Sequence, residues 1–578
     1  IADIPAPWKR VVARCLAARP EDRPLSADAV ASALQPRRRL LKGTAAAMVA
    51  AALVAGAWQW RAGMALTPVR LLVMPLSVDG PRMGSAAGIG LEVADRLTGA
   101  RRKFTVLSPR EAERNHVDTL DKARKSLGAT HVLDTRVHAS GAVVTANASL
   151  IDLQSGRTMR QLQGSYAVND SQALAKALVA TVTEAFHLPG IAAKESVSAA
   201  AHPYYVQGIE LLRRDNTGNA DRALPLFEKA ITLDSRSALP YAGLAEAQLE
   251  KFIKGDGPSW LDRAESSAAK AKSINADSVP VLLVSGSVRQ RHGLYEAAIR
   301  DFTRATEIGP NDSEAWRRLA SCYERANRPE EAAATYQKAI EAQPNYYPLY
   351  LSYGTFYFAR GEFGRAEEQY RRVVAVAPGL ASGHMNLGLA LMQEGRFPEA
   401  EGQLLEALRS QPSRPLLGNI GALYYAEERF EDAARFYDRS LAIGAPSAMQ
   451  YRNLGDADRH LGKPREAAEA YRQARKLAEE DITRNPRRAA SHSLLGLVAA
   501  FLGDREHAEF EIAQALAIEP ENRSVMRDAA IAYEALGQRS KTLAALAKAP
   551  RPLLEELNRQ PDLKELRYDT SFRNLLSR

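Results

Sequence analysis

EAWRRLASCYERANRPEEAAATYQKAIEAQPN, residues 314–345, is followed by two stretches of the same design. They are LYLSYGTFYFARGEFGRAEEQYRRVVAVAPG, residues 349–379, and HMNLGLALMQEGRFPEAEGQLLEALRSQPS, residues 384–413. Each reads as two amphipathic helices joined by a short turn. A small residue stands in the middle of each first helix. Aligned on it, the chain gives Gly208, Gly243, Gly286, Ala320, Gly354, Gly388, Gly421, Gly455, Gly496 and Ala530, with gaps of 35, 43, 34, 34, 34, 33, 34, 41 and 34. Two antiparallel helices approach closely only where such residues sit, as with Gly354 and Ala366 or Gly388 and Ala400. Larger side chains such as Trp316, Tyr323 and Tyr336 fill the space between. Pro310, Pro344, Pro378, Pro412 and Pro520 stop the second helices. One unit cannot bury its apolar face alone, so the units must stack.

A 34-residue period with this pattern resembles the tetratricopeptide repeat family. The resemblance implies a mainly α solenoid of about ten helix-turn-helix units over residues 202–548, with capping helices over 549–578. The gaps of 43 and 41 mark insertions. One falls near the loop-like Gly255-Asp256-Gly257-Pro258; the other, KLAEEDITRNPRR, lengthens a helix. The family's concave groove takes a peptide or protein ligand. Asn386, Asn419 and Asn453 share one repeat position, two before the small residue. In relatives, asparagines at this place form a ladder to a ligand's backbone, since an amide both donates and accepts. Met385, Leu389, Phe358 and Tyr425 are the candidate apolar floor. The same residues are also consensus packing choices.

The 67–188 stretch has another character. VRLLVMPLSV, from Val69, is a continuous apolar run, as in a buried strand. A helix, a second strand (KFTVLSP), a helix over Asp121–Leu127, a three-strand meander and a helix over SQALAKALVATVTEAF complete the order β-α-β-α-β-β-β-α. That is a small α/β domain with a mixed sheet. VMPLSVDG, GIGLEVADRL, SLGATHVLDTRVHASG and ASLIDLQSGRT resemble the TolB-like amino-terminal domain, a module of sensing or docking without catalysis. Met74-Pro75-Leu76 departs from that family's usual Leu-Pro-Phe. Gly88-Ile89-Gly90 lacks the third glycine of a dinucleotide loop, where Val93 stands. A linker, 189–201, leads to the repeats.

Upstream, CLAARPEDRPLSADAV, residues 15–30, joins two helical runs through a charged turn. With Pro7-Trp8 before it, residues 1–36 resemble the end of the C-lobe of bacterial Hanks-type serine/threonine kinases. Arg23 matches the arginine that pairs there with the Glu of the Ala-Pro-Glu motif. The glycine-rich loop, catalytic lysine, His-Arg-Asp loop and Asp-Phe-Gly motif would precede Ile1, so the chain itself holds no cofactor. ATP and magnesium are expected only for the missing kinase core. Residues 37–66 are a basic flank and an uncharged stretch. About 20 residues span a bilayer, and Leu40 to Trp60 fits. Arg37, Arg38, Arg39 and Lys42 outweigh Arg61, which places the kinase-like end in the cytoplasm and the rest in the periplasm of a two-membrane bacterium. A twin-arginine-like export signal and a buried Ala-rich helix are the other readings of this segment.

The formal charge is +9, but residues 1–66 carry +6 of it, which removes the main support for a nucleic-acid partner. Two cysteines and scattered histidines make neither a disulfide framework nor a metal motif. The reading is the sensor and protein-interaction portion of a transmembrane serine/threonine kinase, signalling through dimerisation, for example. The alternative is a non-catalytic scaffold of the cell envelope; a third reading places the whole chain in the cytoplasm.

Overall fold

The structure, a computed structural model, describes residues 6–17, 30, 68–79, 86–98, 100–101, 104–140, 143–167, 170–188, 197–213 and 218–577. Residues 1–67 form a unit by themselves. Its described part is one helix, Ala6–Cys15, where the sequence predicts a helical run. Arg23 and the membrane segment 40–60 lie outside the described residues. Among the described residues no helix is long and apolar enough to cross a membrane.

The second unit, 68–578, holds a small sheet and a long helical array. The strands are β1 (Val69–Val73), β2 (Ser77–Asp79), β3 (Phe104–Leu107), β4 (His131–Ser140), β5 (Val143–Asp152) and β6 (Thr158–Ala167). The sheet order is β3-β1-β4-β5-β6, parallel on the β1 side and antiparallel through the meander. The run VRLLVMPLSV is two strands rather than the one that the sequence predicts. Both lie parallel to β4, and Met74, Pro75 and Leu76 stand against only Asp134 and Thr135. Pro75 has no N–H to give the ladder, so the chain bulges there and resumes. A short extra helix, Pro109–Arg114, follows β3; Ser108 caps it with Glu111 in a reciprocal capping box.

Neighbouring residues of β1 serve opposite faces of the sheet. Leu71 packs with Ile89, Val93 and Leu178, from the helices Ala86–Leu97 and Ser171–Phe186. Leu72 packs with Leu107, Ala123 and Leu127, and also with Tyr347, Tyr350 and Val373 of the helical array. The array therefore supplies part of the second layer over the sheet, and the α/β module completes its core only when docked.

The array is ten antiparallel helix pairs, from His202–Arg213 with Asn219–Leu233 to Arg523–Ala535 with Arg539–Leu546. The first helices of repeats 4 to 8 are Ser313–Arg325, Tyr347–Ala359, Ala381–Gln393, Arg414–Ala426 and Ala448–His460. The 43-residue gap is a first helix of 17 residues, Ala238–Lys254, with a loop at Gly255. The 41-residue gap is a second helix of 21 residues, Pro464–Arg484. In repeats 3 and 5 to 9 the glycine of the first helix faces the large residue 16 positions on, while Gly208 and Gly243 of repeats 1 and 2 share Phe227. A Cβ built on Gly354, Gly421 or Gly455 would stand 2.5, 2.5 or 2.6 Å from the ring of Tyr370, Tyr437 or Tyr471. Those rings are buried, so the tyrosine sets the spacing and the glycine admits it.

After the last pair the tail forms three short segments, Arg551–Arg559, Pro561–Tyr568 and Thr570–Ser577, where the sequence predicts one or two. Leu553, Leu557, Leu563 and Phe572 cap repeat 10. The tail also reaches back. Arg559 donates to the carbonyl of Gln393 at 2.6 Å, and Lys564 pairs with Glu428 at 2.6 Å. The chain thus returns to touch repeats 6 and 7.

Candidate functional site

The first helices carry three distinct polar or apolar features. Asn386, Asn419 and Asn453 occupy the same place on repeats 6, 7 and 8, each half-buried. Among the described residues none of their amides has a hydrogen-bond partner. Met385 and Leu389 flank Asn386 on the same helix and are half-buried as well. Phe358, on repeat 5, meets Phe363 edge-on at 5.2 Å. Tyr425 is placed differently. It is 8% exposed, and its hydroxyl donates to Asp562 of the tail at 2.7 Å.

Asp562 is the centre of the second feature. Arg459 donates to its carboxylate, and His460 lies 3.0 Å from the same oxygen. His460 is itself stacked on Phe430 at 4.4 Å. Burial alone would raise this carboxyl, but His460, Arg459 and Tyr425 outweigh it and hold the group down at about 2. Next to it, Asp456 accepts from Arg452 at 2.9 Å and from Tyr471 at 2.8 Å. Burial dominates there and raises Asp456 above the ordinary range. The arrangement is an internal clamp that fixes the tail on repeats 7 and 8. Sequence reasoning missed it, because Asp562 is 102 positions from His460 and the tail holds no motif.

The third feature is the docking of the α/β module. His202, at the start of repeat 1, bridges Ser171 and Glu92, each at 2.8 Å. Thr105 of the edge strand β3 donates to Gln343, between repeats 4 and 5, at 2.9 Å. Arg70 donates to the carbonyl of Val376 at 2.6 Å, and Gly379 N–H to Lys125 at 3.1 Å. The contacts lie on repeat 1 and on the loops after repeats 4 and 5, so the module bridges repeats 2 and 3. Beneath it is a cavity of about 860 Å³. Gly88, in the string that lacks the third glycine of a dinucleotide loop, lies inside the helix Ala86–Leu97, pressed against Val206 of repeat 1.

Glu111 lines this cavity beside Tyr347 of repeat 5. Burial pushes its carboxyl up from the ordinary 4.5 to about 7, against the smaller pull of Ser108, Arg114 and Tyr347. A carboxyl whose pKa is higher in the folded chain stabilises fully below the unfolded value and loses that contribution as pH rises through the folded one. Raising the pH from 4.5 to above 7 should therefore weaken the docked state, by an amount on the order of 2 kcal/mol. Glu111→Gln should flatten this slope in a series of melts from pH 4.5 to 8. An unchanged slope in the variant would remove Glu111 as its cause.

Comparison with known proteins agrees with the repeat architecture. Residues 261–485 match the family model described as the cilia and flagella-associated protein 70 C-terminal domain. Over those residues the helix pairs are similar to tetratricopeptide-type repeats. Similar solved structures include a tetratricopeptide repeat protein of Parabacteroides merdae, at 19% identity over 45% of this chain and 98% of that one, with a TM-score of 0.35. Human IFIT1, solved as a dimer with m7Gppp-AAAA, gives 18% identity over 60% and 78%, with a TM-score of 0.36. PilF of Pseudomonas aeruginosa gives 20% over 34% and 91%, with a TM-score of 0.31. No curated protein matches the chain.

Proposed function

We propose that the repeat array is a protein-interaction scaffold, and that it binds an extended segment of a protein partner along the first helices of repeats 6 to 8. One observation carries this reading: three asparagines recur at one repeat position, and their amides are unspent. Each offers a donor and an acceptor to a peptide bond, and the repeat spacing sets them in a row. Met385 and Leu389 give apolar side chains of the segment a place beside the row. Replacing Asn386, Asn419 and Asn453 together by Ala should weaken partner binding at least tenfold and leave the melting temperature unchanged. Unchanged affinity would remove the row from the account.

In the same reading the array and the TolB-like module form the external arm of a single-pass serine/threonine kinase of the bacterial cell membrane. Residues 1–36 support it through their kinase-like spelling, and 40–60 through length and flanking charge. Kinase activity belongs to a parent with ATP and magnesium, not to these residues. Translating the DNA upstream of the Ile1 codon tests the proposal. A glycine-rich loop, His-Arg-Asp and Asp-Phe-Gly in frame would support it. A stop codon or unrelated sequence would favour the envelope scaffold without catalysis.

A further inference from the structure

The cavity under the α/β module is separate from the asparagine row. It lies mainly over repeats 1 to 5 and reaches repeat 6 only at Ser382, one turn before Asn386, whereas the row runs on through repeats 6 to 8. Its floor is apolar. Ile209 and Leu212 come from repeat 1, Leu239 from repeat 2, Val279 and Leu283 from repeat 3 and Leu351 from repeat 5. All six are only half-buried, and all six line the cavity. The sequence repeats itself without requiring this, since repeat 4 places Arg317 at the position of Leu283 and Leu351.

The charges around the cavity are spent within the protein. Glu314 takes Arg317 at 2.8 and 2.7 Å and Arg318 at 2.7 Å. Burial would raise Glu314, but the two guanidiniums hold it at about 2. Arg318 also donates to Ser287 at 2.7 Å and lies 3.8 Å from Glu246. Glu92 takes Arg96 and His202, and Asp277 takes Arg304. Asp312 accepts from the N-terminal N–H groups of its own helix. What these pairings leave over is mostly apolar surface edged by polar side chains such as Asn275, Asn311 and Ser352, in a volume of the size that encloses a small organic ligand. Water gains little against such a floor. A peptide would bring a donor and an acceptor per residue to a site whose polar groups are already paired.

We infer that the cavity between the α/β module and repeats 1 to 5 is a binding site for an uncharged, largely apolar small molecule, such as a lipid-like chain without an ionised head. Such a ligand touches both modules at once: the floor belongs to the repeats, and Val106 and Thr98 to the module. Its binding therefore strengthens docking.

The test uses the full chain and Nile red as the probe, displaced by dodecan-1-ol, dodecanoate or dodecyltrimethylammonium. One saturable site is expected, from which dodecanol displaces the probe at a tenfold or lower concentration than either charged analogue. Leu283→Trp and Ile209→Trp fill the floor from two repeats, and each should weaken the probe at least tenfold. Phe510→Ser, at an exposed position outside the cavity, should leave it unchanged. Circular dichroism identifies a variant that fails to fold, and the other then decides. Absence of a saturable site, equal or better displacement by a charged analogue, or full binding by a folded tryptophan variant would overturn the inference. None of these outcomes touches the asparagine row.

Discussion

Asp562→Ala should lower the stability of the array by about 3–5 kcal/mol, the cost of stranding one half of a buried charged cluster. The carboxylate is 8% exposed and serves three partners: Tyr425, Arg459 and His460. Removing it leaves the Arg459 guanidinium beside Phe501 and Tyr471 without its counter-ion. The tail should stay attached through Leu553, Leu557 and Phe572, so the loss is of its grip on repeats 7 and 8. Amide hydrogen exchange should therefore quicken in 561–568 and in the first helices of those repeats. Exchange should not change in repeats 1 to 3. The wild-type carboxyl is held at about 2 against an ordinary 3.8. A depressed pKa stabilises above the unfolded value and loses that contribution as pH falls through the folded one. The difference between wild type and variant should then be full at pH 5 and shrink between pH 4 and 2. A variant that melts like the wild type at pH 7 would show the clamp to be ornamental.

Gly421→Ala is the second large effect expected, and it tests the reason for the 34-residue period. The added methyl would stand 2.5 Å from the ring of Tyr437, which is 3% exposed and has no room to withdraw. Overpacking of this kind costs about 1–3 kcal/mol. Tyr437→Ala should cost about 3–5 kcal/mol through the cavity it leaves. The double variant should be less destabilised than the sum of the two, by about 1–2 kcal/mol, since the methyl now enters vacated space. Strict additivity, measured by denaturant unfolding of all four proteins, would mean that the two residues do not share one space.

That shared space is why the array was so legible. The same steric condition is imposed at Gly286 with Phe302, Gly354 with Tyr370 and Gly455 with Tyr471, and repetition turns a weak local signal into a period. The sheet was legible for a similar local reason: alternation and turn residues report on neighbouring strands. Only the split at Pro75 was missed, because an unbroken apolar run outweighed one missing N–H. Docking left no such trace. Gln343 reads as a polar residue ending a helix, yet it bonds Thr105, 238 positions away. Asp562 reads as a surface acid in a short tail. Contacts made once, between segments far apart in sequence, have no period to betray them. Of the candidate groove, the alignment of the asparagines was readable from spacing alone; that Tyr425 is taken by the tail was not.

The central claim is that the first helices of repeats 6 to 8 hold a protein partner. It is tested most directly by placing a photo-crosslinking p-benzoylphenylalanine at position 419 in living cells, with position 402 as control. Gly402 sits on the second helix of repeat 6 with open space around it. The account predicts a discrete crosslinked protein from 419, lost when Asn386 and Asn453 are replaced by Ala, and none from 402. Equal crosslinking from both positions, or none from 419, would contradict it.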